Sequence, residues 1–148
     1  MLIGSFAHML DAKGRVFIPA KWREALGETV VLTLGVLHTQ SVRCLYGMSV
    51  PAWQSFSDKL AQLPVTDVAG QAIRRRLYAM AAACELDRQG RILIPLPLRE
   101  AATLTKDATL VGINDRIEIW NPAALTSYSA QTDEDYEAAL THLAQLGI

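Results

Sequence analysis

The sequence has few of the features that mark disulfide-stabilised, zinc-binding or membrane proteins. Only two of its 148 residues are cysteines, Cys44 and Cys84, and they form no C-x-x-C pair. This argues against a zinc site and fits a reducing compartment. Apolar runs such as residues 29–37 are far too short to span a bilayer, and the first residues do not resemble a signal peptide. We expect a cytoplasmic protein that contains no metal.

The motifs of the common enzyme classes are also missing from the sequence. It contains no G-x-S-x-G, no Walker loop and no H-E-x-x-H. Asp11 and Asp87 could meet as a carboxylate pair. Each, however, has an arginine and turn amides within reach, which would lower its pKa and make it a poor general acid. We predict no catalytic activity, no cofactor and no small-molecule substrate.

Charge is nearly balanced overall but unevenly distributed. The formal net charge is −1, and residues 126–148 contain four acidic residues and no Lys or Arg, which leaves the remainder at +3. The densest basic cluster, residues 74–76, is interpreted as a solvated helix face, with contact to DNA or to a partner's carboxylates as the alternative. A chain with this balance does not coat nucleic acid, so any DNA contact must be local.

A repeated motif is the most informative feature of the sequence. Residues 10–24 read LDAKGRVFIPAKWRE and residues 86–100 read LDRQGRILIPLPLRE. Charged, glycine and proline positions recur together, which chance rarely produces. Two copies are too few for a solenoid. The repeat therefore predicts two halves that pack around a pseudo-two-fold axis.

Each copy is predicted as ββαββ. In the first copy, strands are expected at residues 6–10, 15–18, 30–34 and 42–46, with a helix at 20–26. In the second copy, strands are expected at 84–86, 91–94, 108–112 and 116–120, with a short helix after Pro95. Gly14 and Gly90 supply the backbone freedom that the tight turns require.

Further helices are predicted outside the copies. One spans residues 51–63, and a second, capped by Asp67, runs to about residue 82 with Ile73, Leu77 and Met80 facing inward. Residues 121–131 are interpreted as a short helix and a linker, and Thr132 as the cap of an acidic last helix. The apolar side of that last helix consists of Tyr136, Leu140, Leu143 and Leu146. Its pattern does not decide between docking on the body and docking on a neighbouring molecule.

These motifs resemble the MraZ family, a branch of the SpoVT/AbrB-like DNA-binding fold. The pattern of that family is matched in the first copy by Gly4, His8, Asp11, Arg15, Ile18, Pro19, Arg23 and Glu24. Residues 84–91 match the second family motif, and residues 114–120 match its ending. Leu2, Ile3 and Leu34 depart from the pattern, and the connection at residues 35–42 is longer than is usual.

The resemblance implies an α+β fold in which two pseudo-symmetric AbrB-like units (double-split β-α-β) pack together with extra helices. We expect repeat 1 at residues 5–52, connecting helices at 53–80, repeat 2 at 81–124 and an acidic helical tail at 125–148. It also implies a ring-shaped homo-oligomer, associated with the nucleoid, that binds repeated boxes in promoter DNA. The implied target is the division and cell-wall gene cluster that includes the regulator's own gene, and repression is the usual outcome.

The candidate DNA-binding residues are the cations of the two motif turns, with Arg23 and Arg99 as further candidates. The turn cations are Lys13, Arg15, Arg88 and Arg91. Their turns are expected to be held in shape by Asp11, Gly14, Asp87 and Gly90. Two roles remain open for Arg15, which either touches DNA or acts only as a scaffold.

Two alternatives concern the helix arginines and the function as a whole. Arg23 with Glu24, and Arg99 with Glu100, could instead form ion pairs on a helix surface or contacts between subunits. A protein-interaction module, such as an AbrB-like antitoxin or a scaffold, is the competing function.

Overall fold

A computed structural model describes residues 1–37, 43–133 and 135–148, with the side chain of residue 133 left aside. The first half contains β1 (Ser5–Met9), β2 (Arg15–Phe17), α1 (Ala20–Leu26), β3 (Thr29–Leu34), β4 (Leu45–Ser49), α2 (Val50–Ala61) and α3 (Val68–Met80). The second half contains β5 (Ala82–Glu85), β6 (Arg91–Leu93), α4 (Leu96–Ala101), β7 (Asp107–Gly112), β8 (Ile117–Trp120), α5 (Pro122–Asp133) and α6 (Tyr136–Gln145).

The two halves share their sheets. A six-stranded antiparallel sheet has the order β1-β7-β8-β4-β3-β5, so strands of one half pair with strands of the other at three positions. A separate two-stranded ribbon joins β2 to β6, with Val16 opposite Ile92. This interlocked arrangement confirms the α+β fold of two related units with extra helices.

The core forms where the ribbon and the short helices cover the large sheet. Val16 and Ile92, at the centre of the ribbon, are completely buried, as are Ile18 and Ile94 just after each strand. Trp22 on α1 is also fully buried, and its indole N–H donates to the Ile3 carbonyl at 2.9 Å. Apolar burial of this kind stabilises a fold by about 1.5–3 kcal/mol per large side chain, so the ribbon is fixed firmly to the body.

The strand predicted at residues 42–46 is displaced in the structure. The strand observed there is β4, Leu45–Ser49, a central strand between β3 and β8, and residue 42 lies outside the described residues. Gly47 resembles a strand breaker in the sequence. A Cβ on Gly47, however, would lie 2.8 Å from the Ile117 side chain, so close packing between neighbouring strands requires glycine there.

Two predictions about the helices were wrong. Thr132 does not cap the last helix: it lies inside α5, where its hydroxyl donates to the Tyr128 and Ser129 carbonyls, and α6 begins only at Tyr136. On α3, Leu77 is buried as predicted, but Ile73 is 51% exposed. Helical spacing identified the apolar residues of α3. It did not determine which of them are buried against the rest of the protein.

Both cysteines are buried free thiols, and no candidate metal cluster occurs among the described residues. Within the same part of the chain, no helix is long and apolar enough to cross a membrane.

Candidate nucleic-acid interface

The two motif turns, Asp11–Arg15 (loop 1) and Asp87–Arg91 (loop 2), have the same internal geometry. In loop 1, the Asp11 Oδ1 accepts hydrogen bonds from the backbone N–H groups of Lys13 (3.0 Å) and Arg15 (2.9 Å). In loop 2, the Asp87 Oδ1 accepts from Gln89 and Arg91, both at 2.9 Å. An aspartate that binds nearby backbone N–H groups in this way fixes the shape of a turn.

Each aspartate also holds the arginine that ends its loop. The Nε of Arg15 lies 2.6 Å from the Asp11 Oδ2, and the Nε of Arg91 lies 2.8 Å from the Asp87 Oδ2. In each pair this hydrogen bond is made by the Nε, and the Arg91 Nη1 also lies 3.7 Å from the Asp11 Oδ2 of the other loop. Each arginine is therefore both a scaffold for its loop and a held donor group.

The hydrogen bonds lower the pKa values of both aspartates. The backbone N–H of Arg15 is the main cause that lowers the pKa of Asp11 to about 2, and the Arg15 side chain adds to the effect. The backbone N–H of Arg91 likewise lowers the pKa of Asp87. Both carboxylates are thus ionised at neutral pH, which suits holding an arginine and not donating a proton.

Arg23 and Arg99 connect the two halves instead of pairing with their neighbouring glutamates. The Nε of Arg23 donates to the Ile18 carbonyl at 3.0 Å, and its guanidinium covers Gly90 of loop 2. The Nε of Arg99 donates to the Ile94 carbonyl at 2.8 Å, and its guanidinium covers Gly14 of loop 1.

No ion pair among the described residues joins Arg23 to Glu24 or Arg99 to Glu100, so the expected helix-surface pairs are not present. The observed contacts are reciprocal, since each half supplies the arginine that covers the glycine of the other half's loop. Sequence reasoning missed this exchange because it depends on the pairing of β2 with β6.

The glycines permit this close contact. Gly14 has φ +89° and Gly90 has φ +82°, which is the left-handed region that disfavours other residues. A Cβ on Gly14 would lie 2.5 Å from the Arg99 Cζ, and a Cβ on Gly90 would overlap the Arg23 guanidinium. Glycine is thus needed at each position for two reasons: the turn requires a positive φ, and the covering arginine leaves no room for a Cβ.

Both loops lie at one surface of the molecule. The β2–β6 ribbon turns Val16 and Ile92 inward, so the alternating residues on the outer side are Arg15, Phe17, Arg91 and Leu93. Arg91 Nη1 reaches across to the Asp11 Oδ2 at 3.7 Å, which joins the two loops. Lys13 and Arg88, at the loop tips, are exposed. We call this surface, comprising both loops and the outer side of the ribbon, the loop face.

The loop face is cationic. It combines six Lys and Arg side chains, Arg23 and Arg99 included, with the two aspartates that hold the loops. Phe17 and Leu93 remain 42% and 52% exposed between the charges, and the Arg91 guanidinium lies 5.8 Å from the centre of the Phe17 ring. A compact surface that combines positionally fixed cations with a few apolar groups can bind a polyanion.

Comparison with known proteins agrees with these observations. A family model described as "MraZ protein, putative antitoxin-like" matches the chain twice, at residues 1–76 and 77–146. The transcriptional regulator MraZ of Thermoanaerobacter sp. (strain X514) is 45% identical over 148 residues, and that of Desulfitobacterium hafniense is 43% identical over 148 residues. Each alignment covers 100% of both chains.

These relatives are named as regulators of transcription and not as enzymes, in agreement with the sequence motifs. Their names support the prediction of a DNA-binding regulator of transcription that is not an enzyme. Full-length matches at this identity, together with two copies of the family model, show that the chain belongs to the MraZ family.

Proposed function

We propose that this protein regulates transcription by placing the loop faces of several subunits against repeated boxes in promoter DNA. The observation that carries the proposal is that loop 1 and loop 2 lie on one surface, joined through Arg91 and Asp11, with Lys13 and Arg88 exposed at the tips. One protomer therefore offers two similar cationic loops to one duplex.

The held arginines fit the chemistry of DNA recognition. A guanidinium whose Nε is bound by an aspartate keeps its two terminal nitrogens as a fork, which suits guanine O6 and N7 or two phosphate oxygens. Arg15 is held in this way by Asp11. Arg91 is held through its Nε by Asp87, and its Nη1 also lies 3.7 Å from the Asp11 Oδ2. Lys13 and Arg88 have no such constraint at the tips, and a flexible cation there suits the sugar–phosphate backbone.

The shape of the ribbon is compatible with the major groove. Two antiparallel strands lie about 4.8 Å apart, and a major groove about 12 Å wide admits a two-stranded ribbon. Each strand of this ribbon has three residues, so it extends only about 10 Å. Phe17 and Leu93 would then be available for apolar contact with thymine methyl groups.

Assembly supplies the affinity that one loop face lacks. Each phosphate neutralised adds about 0.9 to the log–log salt slope, so two to four contacts give weak binding in physiological salt. Several linked loop faces on one DNA raise the apparent affinity by roughly 10²- to 10⁴-fold. Repeated boxes in the target match repeated subunits, which is why the proposal includes the ring-shaped homo-oligomer.

The resemblance that names the family also suggests the biological setting. The proposed target is the promoter of the division and cell-wall gene cluster, including the regulator's own gene, and the proposed outcome is repression. The protein would then act in the cytoplasm in association with the nucleoid.

A gel-shift titration on the DNA upstream of the protein's own gene tests this proposal. The double variant Arg15→Ala, Arg91→Ala is expected to lose specific binding and to show a smaller salt slope. The control Lys59→Ala removes a cation from α2, outside the loop face, and should bind normally. Unchanged affinity and slope for the loop variant, with the fold intact by circular dichroism, would refute the assignment.

A protein-interaction module is the second candidate function. Two observations favour it: the family description contains the term antitoxin-like, and every described residue from 135 to 148 is exposed. Co-purification of a small toxin, together with absence of specific DNA binding, would favour this candidate over the first.

A further inference from the structure

The last part of the chain, residues 130–148, extends away from the body and is called the arm. The first half of α5 packs on the body, where the Tyr128 ring lies 5.4 Å from the Trp120 ring. From residue 130 onward every described side chain is exposed. The arm therefore contributes almost nothing to the core of its own protomer.

The arm nevertheless has the pattern of a packed helix. Tyr136, Leu140 and Leu143 follow one another at spacings of four and three, so they form one stripe on α6. Their exposed fractions are 60%, 47% and 40%. A helix of ten residues is marginal alone in water, so this stripe indicates that α6 is stabilised by a partner.

The outer side of α3 offers the complementary surface. Val68, Ala72, Arg75 and Ala79 follow one another at spacings of four and three, and all four are exposed. Three of these four residues, Val68, Ala72 and Ala79, are small or apolar. The large side chains of α6 can therefore pack against the small side chains of α3.

The charges of the two helices are opposite. Residues 126–148 contain four acidic residues and no Lys or Arg, whereas α3 contains three arginines and no acidic residue. Within the described part of the chain, no ion pair involves α3. Opposite charges beside two apolar stripes favour one pairing and disfavour α6–α6 or α3–α3 contacts.

Position within the fold indicates that the two helices meet between molecules. α5, which carries the arm, packs on β7, whereas α3 packs on β3, three strands away in the same sheet. α2 lies between them, packing on β4 and contacting α3 through Trp53 and Tyr78, whose rings are 5.6 Å apart. The arm and α3 are therefore two different surfaces of one protomer, as a head-to-tail contact requires.

We propose that α6 of one copy of this protein docks on the outer side of α3 of a second copy, with Tyr136, Leu140 and Leu143 against Val68, Ala72 and Ala79. Asp135 and Glu137 then face Arg75 and Arg76. This assignment gives a physical contact to the homo-oligomer that the proposed function invokes. It concerns assembly alone, so it can be tested without DNA.

A charge exchange between two variants tests the contact by native mass spectrometry and light scattering. Variant A carries Arg75→Glu and Arg76→Glu, and variant B carries Asp135→Lys and Glu137→Lys. Each variant alone places like charges at the contact, so we expect its self-association to weaken at least about tenfold. An equimolar mixture of A and B restores opposite charges at every contact, and we expect wild-type assemblies that contain both variants.

The charge exchange also distinguishes a contact within one chain from a contact between chains. If the arm bound α3 of its own chain, all four substitutions in one chain would restore assembly, but mixing A with B would not. That result overturns the proposal, as does wild-type assembly of either variant alone. Lys106→Glu, before β7 and across the sheet from α3, is the charge control and should assemble normally.

A second variant guards against effects on folding. Leu140→Ala with Leu143→Ala keeps good helix formers in α6 and removes apolar area that the protomer does not bury. We expect at least about tenfold weaker self-association with an unchanged circular dichroism spectrum. The matched control His142→Ala with Gln145→Ala changes the opposite side of the same helix. Equal effects from both pairs would overturn the proposed stripe.

Discussion

The Arg99 guanidinium packs directly over the backbone of Gly14, so a side chain of the second half closes the loop of the first. Arg23 does the same for Gly90 in the opposite direction. The shape of each loop therefore depends on the other half of the chain. Two separated repeats would keep their aspartate–arginine hydrogen bonds but would lose this cover.

The requirement for glycine at position 14 of loop 1 can be measured as a change in the free energy of unfolding. We expect Gly14→Ala to lower the free energy of unfolding by about 1–3 kcal/mol for the positive φ alone, with a further loss because Arg99 must move. Urea unfolding of the variant and of the wild type measures this loss.

A double variant tests the cause of the further loss. Shortening the covering arginine in Gly14→Ala, Arg99→Ala should recover part of the extra loss, because the smaller side chain makes room for the Cβ. If Gly14→Ala costs the same in the wild-type background and in an Arg99→Ala background, the contact with Arg99 contributes nothing to the stability of loop 1.

The low pKa values of the loop aspartates predict a dependence of stability on pH. The folded-state pKa of Asp11 is about 2, below an unfolded value of about 3.9, so its contribution is fully present above pH 4. The contribution is lost as the pH falls from about 4 towards 2. Urea unfolding between pH 2 and pH 5 should show that Asp11→Asn has a shallower pH dependence than the wild type. Equal slopes would contradict the proposed hydrogen bonds.

Burial of the two cysteines predicts protection of their thiols. Burial raises the pKa of Cys84 to about 11, and it raises the pKa of Cys44 further beyond the ordinary thiol range. Because the thiolate is the reactive species, native protein at pH 8 should react slowly with a thiol-specific disulfide reagent. Both cysteines should react quickly in urea. Fast labelling of Cys44 in the native state would contradict its burial directly before β4.

How far the sequence predicts this protein depends on the range of each interaction. The hydrogen bonds from the backbone of Lys13 and Arg15 to Asp11 span four residues, so the motif alone indicates them. The cover of Gly14 by Arg99 joins residues far apart in sequence and requires the ribbon to be known. The exposure of Ile73 depends on the line along which α3 docks, which helical spacing does not determine.

The displaced strand β4 also depends on contacts between residues that are far apart in the sequence. Gly47 reads as a break in the sequence, but its lack of a side chain is what lets Ile117 pack from the neighbouring strand β8. A residue that weakens a strand locally can therefore be required by tertiary packing. The interpretation of Thr132 as a cap failed for a related reason, because a capping pattern inside a helical stretch has no end to cap.

The most direct test of the account is the salt dependence of DNA binding when the two loop tips are changed separately. We predict that Lys13→Gln and Arg88→Gln each lower the log–log salt slope by at least about 0.9, and that the double variant lowers it by the sum. Neither residue holds its loop together, so the fold and the assembly should remain unchanged. A full wild-type slope in the double variant would show that the loop face does not meet the DNA backbone.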